Sequence, residues 1–141
     1  MNIHKIVVIF FSILLIGCSK EDEDNNVSYQ IIEEGNLSYT EEIIPKQFVV
    51  FENENDWMEF LPQIEERNPS QAENLENLDF DFNNNSLILI IGEFYNNCCS
   101  SIIIKKVYRV ENNLKVEFQE TGPGLATALS QAFLVLRVSK E

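Results

Sequence analysis

Histidine and basic residues are scarce in this sequence. Its 141 residues include one histidine, His4, and 10 lysines and arginines against 23 aspartates and glutamates, which gives a formal net charge of −13. So acidic a surface is unsuited to nucleic acid, because that binding needs clustered Lys and Arg that displace the counterions condensed on the phosphates. It also argues against a basic face that would lie flat on anionic lipid. We therefore expect no nucleic-acid partner.

Long apolar runs are also rare, and the longest one stands at the N-terminus. Lys5 precedes residues 6–16, which are all apolar except Ser12. This run has the length of a signal-peptide core and falls short of the roughly 20 residues that span the hydrocarbon layer of a bilayer. It ends in Leu15-Ile16-Gly17-Cys18, which is similar to the lipobox of bacterial lipoproteins. An ordinary signal peptide followed by a chance cysteine is the competing interpretation.

The lipobox resemblance implies that residues 1–17 are removed and that the thiol of Cys18 is acylated, so that lipid holds the mature chain on a membrane. Residues 18–27 then form an acidic flexible tether, because Ser19 to Asn26 includes no apolar residue that could offset the entropy of ordering. Ser19 after the cysteine resembles a sorting signal for the outer membrane. The acidic cluster resembles the surface-export tags of Bacteroidetes lipoproteins. We expect an outer-membrane lipoprotein, with its periplasmic or outward orientation left open.

Removal of the first 17 residues leaves 124, enough for one domain at residues 28–141. It takes away Lys5, which moves the formal net charge from −13 to −14, and it takes away His4. A chain without histidine has no Ser-His or Cys-His nucleophile and no His-based metal site. We therefore predict a protein that is not an enzyme and uses no metal and no cofactor. A pair of carboxylates acting on sugars is the enzymatic alternative, and it would need a deep pocket.

Apolar spacing predicts one short helix. Trp57, Phe60, Leu61 and Ile64 fall at i, i+3, i+4 and i+7, which places them on one face. Asp56 with Glu59 would cap its start, and Pro62 would kink the helix or end it early. Residues 67–78, rich in Asn and Glu, are expected to form a surface loop.

The rest of the chain is predicted to be strands. Within residues 86–92 the run 87–91 is continuously apolar, which indicates a central strand covered on both faces. Residues 78–82 alternate apolar and acidic side chains, as an edge strand does, and residues 111–113 are expected to turn a hairpin. Together the predicted strands lie at 27–39 (as a pair or one bent strand), 46–52, 78–82, 86–92, 101–110, 114–120 and 133–139. The predicted fold class is α+β, a curved antiparallel β-sheet or sandwich with one short helix packed against it.

The adjacent pair Cys98-Cys99 is the most distinctive local motif. In an oxidising envelope the two cysteines can form a disulfide within an eight-membered ring that stiffens the loop. Two free thiols and an intermolecular disulfide are the alternatives. A redox enzyme would be expected to have Cys-x-x-Cys at a helix start, which is missing.

The order of these segments resembles the C-terminal-domain family of PrcB-type protease-complex subunits, which occurs in many bacterial lipoproteins. The resemblance spans roughly residues 30–140 and is carried by Asn55-Asp56-Trp57, 78–92, 100–104, 114–118, Gly122-Pro123-Gly124 and 132–135. It implies a non-catalytic subunit that binds or stabilises a surface protease. The sequence departs from the family at 97–100, where a Thr-Gly-Gly-Tyr-like turn is replaced by Asn-Cys-Cys-Ser.

Two loops, 92–101 and 121–132, are the predicted partner surface. A stand-alone ligand-binding or structural envelope lipoprotein without a protease is the alternative function. The candidate contact residues are Tyr95, Asn97, Ser100, Gly122, Pro123 and Gly124.

Overall fold

The computed structural model describes residues 25–40 and 42–140. The predicted signal peptide at 1–17, the lipidation site Cys18 and residues 19–24 of the predicted tether lie outside these ranges. Neither helix in the described part of the chain is long and apolar enough to cross a bilayer. In chain order the elements are β1 (Tyr29–Ser38), β2 (Gln47–Phe51), α1 (Glu54–Glu65), α2 (Pro69–Glu76), β3 (Asn85–Tyr95), β4 (Ser101–Val110), β5 (Asn113–Thr121) and β6 (Ser130–Ser139).

The strands form two antiparallel sheets, which confirms the α+β prediction. Four strands make one sheet in the order β1-β6-β3-β2, and β4 pairs with β5 in a separate hairpin. The two helices cover one face of the four-stranded sheet and the hairpin covers the other. The molecule is therefore layered as helices, sheet and hairpin, with a hydrophobic core on each side of the central sheet.

Strand β3 contributes to both cores, as its continuous apolar sequence predicts. Leu87, Leu89 and Ile91 face the helices, whereas Ile88 and Ile90 face the hairpin. All five are fully buried. Because burial of one such side chain contributes about 1.5–3 kcal/mol, this strand is a main source of the stability of the fold.

Helix α1 begins earlier and ends later than the sequence indicates. Its N-cap is Asn53, whose Oδ1 accepts a hydrogen bond from the Asp56 backbone N at 3.0 Å, so the cap predicted at Asp56 is wrong. Pro62 lies inside the helix, which continues to Glu65. Pro62 cannot donate a backbone hydrogen bond to the preceding turn of the helix. Burial of Leu61 and Ile64 on either side of this exposed proline offsets that loss and stabilises the last turn.

The prediction of a surface loop at 67–78 is wrong, because helix α2 occupies Pro69–Glu76. Asn68 caps this helix and Pro69 stands in its first turn, where a missing N–H costs nothing. Only Ala72 and Leu75 are buried in it, so its apolar periodicity is too weak to recognise in the sequence.

Helix α2 is stabilised largely by polar contacts with the edge strand β1. Gln71 Nε2 donates to the Glu34 carbonyl at 2.8 Å, and Asn68 Nδ2 donates to the Asn36 carbonyl at 3.0 Å. The Ser38 N–H donates to the carbonyl of Arg67 at 3.3 Å. These contacts use backbone groups that an open edge strand would offer to another chain.

The strand predicted at 78–82 is also absent from the described structure, where this segment leads into a turn. Asp81 accepts hydrogen bonds from the Asn83 backbone N at 2.9 Å and from Asn84 Nδ2 at 2.6 Å. The bond from the Asn84 side chain is the main cause that lowers the pKa of the Asp81 carboxyl. The rings of Phe80 and Phe82 lie 4.5 Å apart and pack against the helix-side core. Because the Asp81 side chain accepts a backbone hydrogen bond within its own turn, this segment forms a turn although its alternating sequence is typical of a strand.

The remaining strand predictions agree with the structure. The segment predicted at 27–39 contains one strand, β1 (Tyr29–Ser38), with an irregular register between Ile31 and Glu33, so the strand pair is excluded and the bent strand is confirmed. The hairpin β4–β5 turns at Glu111 and Asn112, both at positive φ. Strand β6 begins at Ser130, three residues before the predicted start.

Candidate functional site

The strand ends divide the molecule into two opposite ends. We call loop end the connections 39–46 (apart from residue 41), 96–100 and 122–129, which follow or precede strands at the same edge. We call tether end the segment 25–28, the turns 81–84 and 111–112, and residues 139–140. The chain enters at the tether end, where the Asn25 carbonyl accepts a hydrogen bond from the Arg109 backbone N at 3.0 Å.

The structure brings the two predicted partner loops together. The Cys98 N–H donates to the Ala126 carbonyl at 2.8 Å, and the Ala126 N–H donates to the Cys98 carbonyl at 3.1 Å. A side chain on Gly124 would collide with the backbone of Cys98 and Cys99. Gly122 has a φ of 116° and lies against Ser100. Both glycines are thus required by the close approach of the loops, which no local sequence signal could reveal.

The six candidate contact residues differ in accessibility. Asn97, Gly122 and Pro123 are exposed, and Tyr95 and Gly124 are half-buried. Ser100 is only 3% exposed, so it lies beneath the surface and is excluded from a contact set. Its carbonyl accepts a hydrogen bond from Asn36 Nδ2 at 3.1 Å, which ties the loop to strand β1.

The cysteine pair lies at the centre of the loop end. In the structure the sulfur atoms of Cys98 and Cys99 are bonded to each other. Cys98 is half-buried and Cys99 is exposed. Since Cys98 also exchanges two backbone hydrogen bonds with Ala126, the ring belongs to the contact that joins the two loops. Its redox state in the envelope stays a prediction.

The loop end exposes apolar side chains that sequence reasoning did not single out. Leu125 is 98% exposed, and Tyr39 and Ile43 are each 51% exposed. Leu129 is exposed as well, and the Tyr39 ring contacts that of Phe94 with centroids 5.7 Å apart. A signal was present in the sequence, because 122–129 reads Gly-Pro-Gly-Leu-Ala-Thr-Ala-Leu without a charge in a chain where 23% of residues are charged.

A polar layer supports this end from below. Gln131 is buried, and its Nε2 donates to the Ile44 carbonyl at 2.7 Å and to the Gly92 carbonyl at 2.8 Å. Within the described residues, three buried atoms at this end have no hydrogen-bond partner: Asn36 Oδ1, Ser100 Oγ and Ser130 Oγ.

A charged clamp joins the hairpin to the sheet beside the loops. Lys46 Nζ lies 2.5 Å from Glu120 Oε1 and 3.4 Å from Glu93 Oε1. The other carboxylate oxygen of Glu120 accepts a hydrogen bond from the Glu93 backbone N at 2.7 Å. The hydrogen bond to Glu120 is the main cause that raises the pKa of Lys46. Lys46 thus contacts the carboxylates of both Glu93 and Glu120, and the Glu93 N–H donates to Glu120. We interpret these contacts as joining the hairpin to the sheet.

Comparison with known proteins found no match among protein-family models, curated proteins or solved structures. Within the part of the chain that the structure describes, no group of three or more His, Cys, Asp or Glu side chains could hold a metal ion. The interpretation of the site therefore rests on its own geometry.

Proposed function

We propose that this protein is a non-catalytic envelope lipoprotein, attached through lipid on Cys18, that acts as an accessory subunit binding or stabilising a surface protease. The observation that carries the binding role is the apolar, uncharged segment 122–129, held beside the Cys98-Cys99 loop at the loop end. Contiguous exposed apolar surface on a water-soluble domain is typical of sites where another macromolecule binds.

The side chains at the loop end suit a protein partner. Leu125 is almost fully exposed, and its burial in a partner would contribute about 1.5–3 kcal/mol. Tyr39 adds an aromatic ring with a polar tip, a side-chain type enriched where binding energy concentrates. The two loops that carry these groups are fixed by hydrogen bonds from Cys98 and Gln131, so little ordering entropy would be lost on binding.

The position of the chain entry supports the same proposal. Strands β1, β4 and β6 have 10 residues each, so the loop end lies about 30 Å from the tether end. Cys18 precedes Asn25 by seven residues, a reach of at most about 25 Å. A chain anchored at Cys18 would present its loop end away from the bilayer, where a surface protease is accessible.

Cross-linking and affinity capture of the tagged, lipidated protein from its native envelope tests the proposal. We expect a protease recovered near one-to-one with the wild-type chain. The double variant Leu125→Asp/Leu129→Asp should lose it, because charges replace the apolar contact. The control is Val110→Asp, an exposed apolar residue of the hairpin at the tether end, which should retain the protease. Recovery of the bait alone would contradict the accessory role and would favour a stand-alone lipoprotein.

The anchoring part of the proposal has its own test. In the variant Cys18→Ser the acyl acceptor is missing, so the protein should leave the membrane fraction. A chain that stays with the membrane after this change would contradict lipid attachment at Cys18. That result would not bear on the proposed partner surface.

A further inference from the structure

A groove lies between the two helices, on the outer face of the helical layer. Its volume is about 410 Å³, within the range of about 300–1,000 Å³ usual for ligand sites. Five of its eight lining residues are apolar, namely Met58, Leu61, Pro62, Pro69 and Ala72. Met58 is 41% exposed there, although it belongs to an otherwise well-packed helix.

The rim of this groove is acidic. Glu65 of α1 and Glu73 and Glu76 of α2 complete the lining, and all three side chains are exposed. None of them forms an ion pair with a lysine or arginine of the described residues. Like charges gathered around an apolar depression repel one another, and a bound cation would relieve that repulsion.

The surroundings of the groove strengthen its negative field. Residues 54–76 include seven acidic side chains and one basic side chain, Arg67. Arg67 is buried, donating from Nη2 to the Glu42 carbonyl and from Nη1 to the Gln63 carbonyl, both at 2.7 Å. Arg67 also pairs with Glu66 at 3.1 Å, so no basic side chain of this segment forms an ion pair with the three glutamates of the groove.

We propose that the groove between α1 and α2 binds a basic amphipathic helical segment of a protein partner. Apolar side chains of that segment would enter between Met58 and Ala72, and its lysines or arginines would pair with Glu65, Glu73 and Glu76. The combination favours this class of ligand, because the five apolar lining residues suit apolar side chains and the three carboxylates suit cations. A helix laid in an apolar groove is a recurrent mode of peptide recognition. This inference is independent of the loop end.

The probe is a labelled synthetic peptide whose Leu residues lie on one face of a helix and whose Lys residues lie on the other. A peptide of the same pattern with Glu in place of Lys is its charge-reversed counterpart. The protein is the full lipidated chain in phosphatidylcholine nanodiscs, and empty nanodiscs provide the blank. Binding is measured by fluorescence anisotropy at two salt concentrations. We expect the Leu/Lys peptide to bind, the Leu/Glu peptide not to bind, and affinity to fall at higher salt because exposed ion pairs are screened.

Two triple variants with equal change of net charge separate the groove from the overall acidity. Glu65→Gln/Glu73→Gln/Glu76→Gln should weaken binding at least tenfold. The matched control, Glu34→Gln/Asp79→Asn/Glu111→Gln, removes three exposed acids elsewhere and should weaken it less than threefold. Met58→Ser should weaken binding without altering the salt dependence. Equal losses in the two triple variants, or no binding of the Leu/Lys peptide, would overturn the proposal.

Discussion

The tether end and the loop end solve the same problem, the closure of a layered β structure, in different ways. At the tether end the turns are polar and complete their own hydrogen bonds. Asp81 binds donors of its own turn, and Lys140 Nζ donates to the carbonyls of Glu52 and Phe82 at 3.0 and 2.8 Å. At the loop end an uncharged segment leaves Leu125 98% exposed.

This difference teaches which end is shaped by more than folding. The turns at 81–84 and 111–112, Asp-Phe-Asn-Asn and Glu-Asn, show that chain reversals in this fold need no exposed leucine. Exposed leucines add little to the stability of the isolated domain, because they bury little apolar surface. The features of the loop end therefore favour a role in contact with another molecule, and each prediction below would break or sharpen that contrast.

The largest effect is expected in the core that both ends share. Leu89→Ala in β3 should lower the free energy of unfolding by about 2–5 kcal/mol, because the residue is fully buried and the cavity cannot collapse. Leu125→Ala should change it by less than about 0.5 kcal/mol. Urea unfolding of both variants measures the contrast. A large loss with Leu125→Ala would mean that the loop end supports the fold.

The next effect concerns the contact between the two loops. Gly124→Ala should destabilise the protein by about 1–3 kcal/mol, since the added methyl group collides with the backbone of Cys98 and pushes the loops apart. Glu59→Ala, at an exposed position of α1 away from both loops, is the control. Urea unfolding together with partner capture is the measurement. If Gly124→Ala left both unchanged, the two loops would not form one surface.

A smaller effect is expected from the clamp beside the loops. Glu120→Gln should cost about 0.5–1 kcal/mol by weakening hydrogen bonds to Lys46 and to the Glu93 N–H, because Lys46 is well exposed to solvent. Glu93→Gln, whose carboxylate is more exposed and lies farther from Lys46, is the matched control and should cost less. Thermal unfolding at neutral pH compares the two, and equal losses would mean that Glu120 has no special role.

The clamp also predicts a dependence on alkaline pH. The pKa of Lys46 is raised by Glu120 above its ordinary value of 10.5. The contribution of the charged lysine to the free energy of unfolding is therefore complete below about pH 10.5, where the lysine of the unfolded chain is protonated as well. The contribution is lost as pH rises through the higher folded pKa. The stability difference between the wild type and Lys46→Met should therefore shrink above about pH 10.5. A difference that stayed constant would exclude the lysine charge as its source.

The smallest effect is expected at the unpaired hydroxyl of Ser100. Because Ser100 Oγ is buried without a partner, Ser100→Ala should leave the free energy of unfolding within about 0.5 kcal/mol of the wild type or raise it. Asn36→Ala should instead destabilise, since it removes the bond to the Ser100 carbonyl. Differential scanning calorimetry distinguishes them. Clear destabilisation by Ser100→Ala would show that this hydroxyl is bound by something.

Part of the fold could be predicted because its signals are local. The continuous run of β3 and the turn at 111–113 depend on neighbouring residues, and both are confirmed. Helix α2 was missed because it buries two small or medium side chains and depends on contacts of Asn68 and Gln71 with β1, far away in the chain. The sequence of 78–82 predicts a strand, but the segment leads into a turn because the Asp81 side chain accepts a hydrogen bond from the Asn83 backbone N.

The sequence indicates which two loops form the candidate site, but it does not indicate which of their side chains are exposed. The cysteine pair and the Gly-Pro-Gly segment drew attention to the two loops that the structure joins through Cys98 and Ala126. Their pairing, the burial of Ser100 and the contact between the rings of Tyr39 and Phe94 arise from tertiary contacts. A single sequence carries no periodic pattern for them.

Site-specific photocross-linking in the native envelope tests the central claim most directly. A photoreactive amino acid is placed at Leu125 in the loop end in one variant and at Asn112 in the hairpin turn of the tether end in the other. The account predicts one discrete cross-linked protein, a protease, from position 125 and no such product from position 112. A product from position 112 alone, or the same product from both, would contradict the assignment of the partner surface to the loop end.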